Sequence, residues 1–150
     1  MTSGREVARA LRAAYLALHR QTNACFAEDG VTADQFVLLA ALADADGVTQ
    51  QELVRRVGSD PSTLRAMLLL LEGRGLVCRA RHPADGRARR VTLTGKGRRL
   101  FEQLLTKSEG LRERLLAAFR PEEVTALVGF LRRVAEVMAP AVGYSSRTAG

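Results

Sequence analysis

The sequence predicts a mainly α-helical fold with one small β-hairpin (α+β), and three observations predict it. Helix-start signatures recur: Thr32 with Gln35, Thr49 with Glu52, and Asp60 before Pro61, side chains that can satisfy the orphan amides of a first helical turn. Apolar residues recur at intervals of three and four over both ends of the chain, the period of an amphipathic helix. Only the Arg-rich run from Arg79 to Leu93 alternates with a period of two, turning at Asp85-Gly86 and resuming through Val91 and Leu93, as a two-stranded ribbon does.

Taken in order, the first helix is predicted over residues 6–26. Val7, Leu11, Ala14, Leu18, Thr22 and Cys25 form its stripe, with Tyr15 and Phe26 beside it, before a Glu-Asp-Gly turn at 28–30. A second follows Thr32, its buried face supplied by Phe36, Leu39, Ala40 and Ala43. After a break at Asp46-Gly47, Thr49 opens a short helix to about Val57. Asp60 caps a fourth, with Pro61 at the first position, where its missing N–H costs nothing. That helix runs to Glu72, ends at Gly73 or Gly75, and buries Leu64, Met67, Leu68 and Leu71 at i, i+3, i+4, i+7 spacing. Thr94 begins one further long helix traced by Leu100, Leu104, Leu111, Leu115 and Phe119. Pro121 begins the last, striped by Val124, Leu127, Val128, Leu131, Val134 and Met138 and stopped by Pro140.

Charge narrows the function. The 150 residues carry 23 Lys+Arg against 16 Asp+Glu, and the excess is segregated. Between Gln50 and Leu100 stand 12 basic residues and four acids (Glu52, Asp60, Glu72, Asp85), while the flanks together are close to neutral. A preference for Arg over Lys explains why Lys occurs only at positions 96 and 107, but it does not explain the segregation. A basic segment between near-neutral ones is the footprint of a polyanion-binding module attached to something else. With no Trp and few aromatics, single-strand binding on stacked bases is disfavoured.

Other classes are excluded. No run approaches the ~20 apolar residues that span a bilayer, and the N-terminus lacks a signal peptide's hydrophobic segment, so a cytoplasmic, nucleoid-associated protein without a membrane partner is expected. Cys25 and Cys78 make neither a disulfide framework nor a zinc site, and no metal or cofactor is expected. His19 and His82 lie far apart, no nucleophile–base set or carboxylate pair stands out, and Gly95-Lys96-Gly97 is too short for a phosphate loop. An enzyme is not expected.

Two short helices joined by a tight Gly-containing turn and followed by a hairpin make a helix-turn-helix with a wing, in which the second helix enters the major groove. Here the chain resembles the MarR family of bacterial transcriptional regulators over nearly its full length. The resemblance rests on VTADQFVLLAAL, on TQQELVRRVGSDPSTLRAMLLLLEGRGLV and on the wing DGRARRVTLTGKG, whose Asp85, Arg87, Val91, Leu93, Thr94 and Gly97 match the family's wing signature. It implies a homodimer on a pseudo-palindromic operator, with residues 31–99 as the winged helix-turn-helix and residues 1–30 and 100–150 as a helical dimerisation region. Two copies would set recognition helices about one turn of DNA apart, ~34 Å.

The resemblance puts Arg87 in the minor groove, where a narrow A·T-rich tract concentrates negative potential. Arg89 is expected at phosphate or groove. Asp85, Arg81 and Arg90 are expected to brace the wing, Arg81 and Arg90 being equally placed to reach the DNA backbone. Ser62, Thr63 and Arg65 are the expected base or phosphate contacts, with Arg65 suited to bidentate reading of guanine. Leu69 and Leu70 depart from the family, which usually carries polar or charged residues there; they could contact thymine methyls, pack under the wing or form a protein interface.

The family usually responds to small aromatic or phenolic anions. Tyr15, His19, Arg20 and Phe36 could line such an effector cleft. The expected function is a ligand-released regulator, a repressor because a bound dimer would compete with polymerase. Two alternatives stand beside it: a thiol-based redox sensor acting through Cys25, and a winged-helix protein-interaction module with weakened DNA binding.

Overall fold

Side-chain oxygens open the first five helices. The computed structural model describes residues 1–45, 47–81 and 89–140, with only the backbone of Arg81. Helix α1 (Gly4–Phe26) starts at Ser3, whose hydroxyl and the Glu6 carboxylate cap each other's amides. Helix α2 (Ala33–Ala43) starts the same way at Thr32 with Gln35. Helix α3 (Gln50–Val57) starts at Thr49, α4 (Pro61–Gly73) at Asp60 and α5 (Gly95–Lys107) at Thr94. A 3₁₀ turn, Ala27–Asp29, closes α1, and Gly30 follows it in the left-handed region at φ 65°. Helix α4 ends on Gly75 (φ 72°), and the Leu76 amide bonds back to the Leu71 carbonyl at 3.0 Å. That 6→1 bond is a Schellman closure, which glycine alone enters without strain.

The hairpin strands are β2 (Val77–Arg81) and β3 (Arg89–Leu93), paired antiparallel from Val77–Leu93 to Arg81–Arg89. A third strand, β1 (Val48–Thr49), pairs with β3 through Val48–Val91 and Thr49–Arg90, giving the order β1-β3-β2. Its two residues are too few to carry a period, so periodicity predicts no strand there.

One core joins these elements: Phe26, Leu38, Leu39, Leu42, Leu53, Leu64, Leu68, Leu71, Leu76, Val77, Val91 and Leu104 are fully buried. The core face predicted for α4 is the one it uses. Helix α2 differs from its predicted face. Ala33, Gln35, Leu38, Leu39 and Leu42 are buried, whereas Phe36, Ala40 and Ala43 are half-buried. The reason is that α2 packs on α1, α3, α5 and β3 at once, so no single stripe describes it.

The long helix expected after Thr94 is two helices, α5 and α6 (Glu109–Ala117), broken at Ser108. The buried Ser108 hydroxyl donates to the carbonyls of Leu104 (2.8 Å) and Leu105 (3.2 Å). Such back-bonding competes with the backbone ladder and bends helices. The last helix, α7 (Pro121–Met138), begins at Pro121 as expected and buries no residue of its own.

By its contacts the chain divides into two compact units, residues 1–111 and 112–150. No described helix is long and apolar enough to cross a membrane.

Candidate nucleic-acid interface

At the start of α4, three donors converge on one carboxylate. The Asp60 side chain accepts from the Thr63 hydroxyl (2.6 Å), the Thr63 amide (2.9 Å) and the Ser62 hydroxyl (2.7 Å). The Thr63 hydroxyl first, then its amide and the Ser62 hydroxyl, hold the Asp60 carboxyl well below the usual carboxylate range, because hydrogen bonds to the charged form favour it. Ser62, Thr63 and Arg65 are all exposed. Their hydroxyl protons being committed to Asp60, Ser62 and Thr63 present acceptor lone pairs outward. A shallow groove of about 490 Å³ runs between α3 and α4, lined by Gln50, Gln51, Val54, Arg55, Pro61, Leu64 and Arg65.

Exposed cations are carried by α3, α4 and β3. Arg55 and Arg56 in the last turn of α3, Arg65 on α4 and Arg89 on β3 are exposed, and none is ion-paired with another described residue.

Two further arginines of the hairpin, Arg90 and Arg79, are engaged. Arg90 is half-buried and donates to the Gly47 carbonyl at 2.9 Å, joining β3 to the turn before β1. Arg79 turns back onto Glu72 of α4 (Nε–Oε2 2.6 Å), linking β2 to the end of that helix. The two lie seven residues apart on different elements, so no helical spacing announced the pair. Asp85 and Arg87 lie outside the described residues. Arg81 is placed by its backbone, opposite Arg89.

The wing's exit explains its Thr-x-x-Gly pattern. Thr94 accepts from the Gly97 amide (3.0 Å) and donates to the Gly75 carbonyl (2.6 Å). These bonds draw Gly97 so close to Leu76 that a Cβ there would overlap the Leu76 carbonyl oxygen. Lys96 adds a bond to the Arg74 carbonyl (2.9 Å), and Arg74 donates to the carbonyls of Gly30 (2.9 Å) and Asp29 (3.1 Å). The C-terminal end of α4 is thereby tied to α5 and to the turn after α1. Lys107 completes the tie with an ion pair to Asp29 (2.9 Å), whose hydrogen bond raises the Lys107 pKa.

The residues expected to line an effector cleft fall into separate groups. Tyr15 and His19 stack on α1 with ring centroids 5.4 Å apart. Arg20 is exposed one residue further on. Phe36 instead belongs to an aromatic cluster with Phe26 (4.8 Å) and Phe101 (5.7 Å). Cys25 is half-buried against the core, its thiol facing the Lys107 carbonyl at 3.5 Å. Cys78 is exposed beside Thr92. Among the described residues no group of three or more His, Cys, Asp or Glu side chains could hold a metal ion.

Comparison with known proteins places this geometry. The MarR family profile matches residues 29–88. The transcriptional regulator HosA of Escherichia coli O111:H- is 32% identical over 104 residues, 69% of this chain and 77% of HosA. BpsR of Bordetella bronchiseptica, whose DNA binding is regulated by 6-hydroxynicotinic acid, superposes with a TM-score of 0.80 at 29% identity, covering 91% of this chain and 97% of BpsR. A point mutant of E. coli MarR complexed with operator DNA gives a TM-score of 0.78 at 28% identity, over 85% of this chain and 92% of the MarR chain. The sheet order, the capped helix pair before the hairpin and the glycine exit at Gly97 thus sit in a winged helix-turn-helix, and the chain belongs to the MarR family of transcriptional regulators, which are not enzymes.

Proposed function

We propose that this chain is a homodimeric repressor that binds a pseudo-palindromic operator and releases it when a small aromatic acid or phenol binds. The observation that carries DNA docking is the exposed start of α4, where Ser62, Thr63 and Arg65 face solvent and Arg65 shares a groove with Arg55, while no described acid pairs with Arg55, Arg56, Arg65 or Arg89. Arg65 suits the O6/N7 edge of guanine. Ser62 and Thr63, their protons given to Asp60, suit the amino groups of adenine or cytosine. Arg89 neutralises phosphate, and Arg87 enters the minor groove.

Dimerisation is supported by exposed apolar side chains on the terminal helices. Val7 and Leu18 on α1 are exposed, as are Leu115 and Leu116 on α6 and Phe130, Leu131 and Met138 on α7. Amphipathic helices draw most of their stability from packing an apolar face, and a second copy of the chain covers such faces symmetrically. The BpsR precedent supports an aromatic acid as effector. Tyr15, His19, Arg20 and Phe36 are its proposed contacts, and the ligand acts by preferring a dimer whose recognition helices are wrongly spaced for the operator.

Gel-shift titration with a duplex recovered by selection from random sequence tests the reading. Arg65→Ala should cost about 1–3 kcal/mol and relax preference at one base pair per half-site. Arg87→Ala should lose most operator binding while dimerisation survives. Unaltered shifts for both variants would refute the docking.

A further inference from the structure

Leu69 is half exposed (50%) on α4, although Leu64, Met67, Leu68 and Leu71 already supply that helix's core face. At about 100° per residue, Leu69 stands opposite the centre of the buried quartet, on the line of Ser62 and about 10 Å along the axis from it. A partner that lies along this face of α4 therefore meets Leu69. Ala66 lies on the same face one turn earlier, and Gly73 one turn later has open space where a Cβ would stand.

This apolar centre lies on the helix that carries the exposed Arg65, which shares a groove with the exposed Arg55 of α3. Charge complementarity selects an occupant that is anionic at its rim and apolar at its middle. Duplex DNA meets both requirements, because the major groove is edged by phosphates and each thymine presents a C5-methyl on its floor. Leucine has neither donor nor acceptor, so it cannot read a hydrogen-bonding edge. It can read a methyl.

We propose that Leu69 is a specificity-determining residue that packs on a thymine C5-methyl, so that each operator half-site holds one thymine recognised by its methyl group. This rests on the groove docking of α4 proposed above. The full-length protein is titrated by fluorescence anisotropy against a selected duplex, and against the same duplex with deoxyuridine replacing each thymidine in turn. Uracil keeps the pairing and hydrogen-bonding edges and lacks only the methyl.

Loss of one packed methyl corresponds to roughly fourfold in affinity. One thymidine per half-site should show that loss in the wild-type protein, and Leu69→Ala should bind the two duplexes equally. Leu70→Ala, altered at the flank of the face, should keep the wild-type preference. Wild-type binding indifferent to deoxyuridine everywhere overturns the proposal while leaving DNA docking intact, as does an undiminished preference in Leu69→Ala. A Leu69→Ala protein that alters self-association and keeps the preference puts a second protein copy on Leu69 instead. If selection recovers no preferred duplex, docking itself fails and the proposal fails with it.

Discussion

Gly97 shows how one residue can be fixed by backbone geometry without any contribution from its own side chain. Its near-contact with the Leu76 carbonyl lets Thr94 cap α5 and bond Gly75 at once. Gly97→Ala must push the hairpin exit away from α5, and should cost about 2 kcal/mol or more in urea unfolding, in the range of overpacked interiors. Asp60 makes a different demand. Its folded pKa is depressed, so its contribution is complete above the unfolded carboxylate value and is lost as pH falls through the folded one. Thermal melts should show no Asp60-dependent change from pH 9 to 5, and a loss confined to acid below about pH 4. Asp60→Ala should lower the melting temperature throughout the upper range, and Asp60→Asn, which keeps an acceptor oxygen, should recover most of it. Both residues announced themselves in the sequence, Asp60 by the proline after it and Gly97 by its place three residues past Thr94. The physical reason for Gly97 was visible only once Leu76 was placed.

Elements were legible where signals are local and obscure where they are not. Caps and periodicity located α4 and its core face from a dozen residues, because both belong to that helix alone. They could not show that Ser108 would interrupt a helix by bonding back to Leu104 and Leu105, nor that two residues at Val48 would join a sheet. The links between elements were equally hidden. Glu72–Arg79 joins α4 to β2, with the two side chains 40% and 14% exposed. A double-mutant cycle on this pair should return about 1 kcal/mol or less, falling with added salt. Arg74 reaches further in the chain, to Asp29 and Gly30. Arg74→Ala should lower operator affinity without removing any proposed DNA contact, because it frees one end of the recognition helix from the turn after α1.

At the scale of the molecule, the basic middle and the near-neutral flanks in the sequence correspond to different surfaces. Arg55, Arg56, Arg65 and Arg89 are exposed on α3, α4 and β3 without a described acid paired to them, and most of the exposed large apolar side chains lie on the terminal helices. The sequence could show these amphipathic faces but not what covers them, since a stripe looks the same whether its partner is the same chain or another. Replacing one phosphate-contacting arginine per subunit should flatten the dependence of log affinity on log salt by roughly 0.9 per lost contact, and about twice that per dimer. Selection of duplexes from a random pool by the full-length protein, with the stoichiometry of the winning complex measured by light scattering, tests the whole most directly. The expected result is one inverted repeat with half-site centres about 10 base pairs apart, carrying two chains. Enrichment of no sequence, or a single unrepeated site holding one chain, would contradict it.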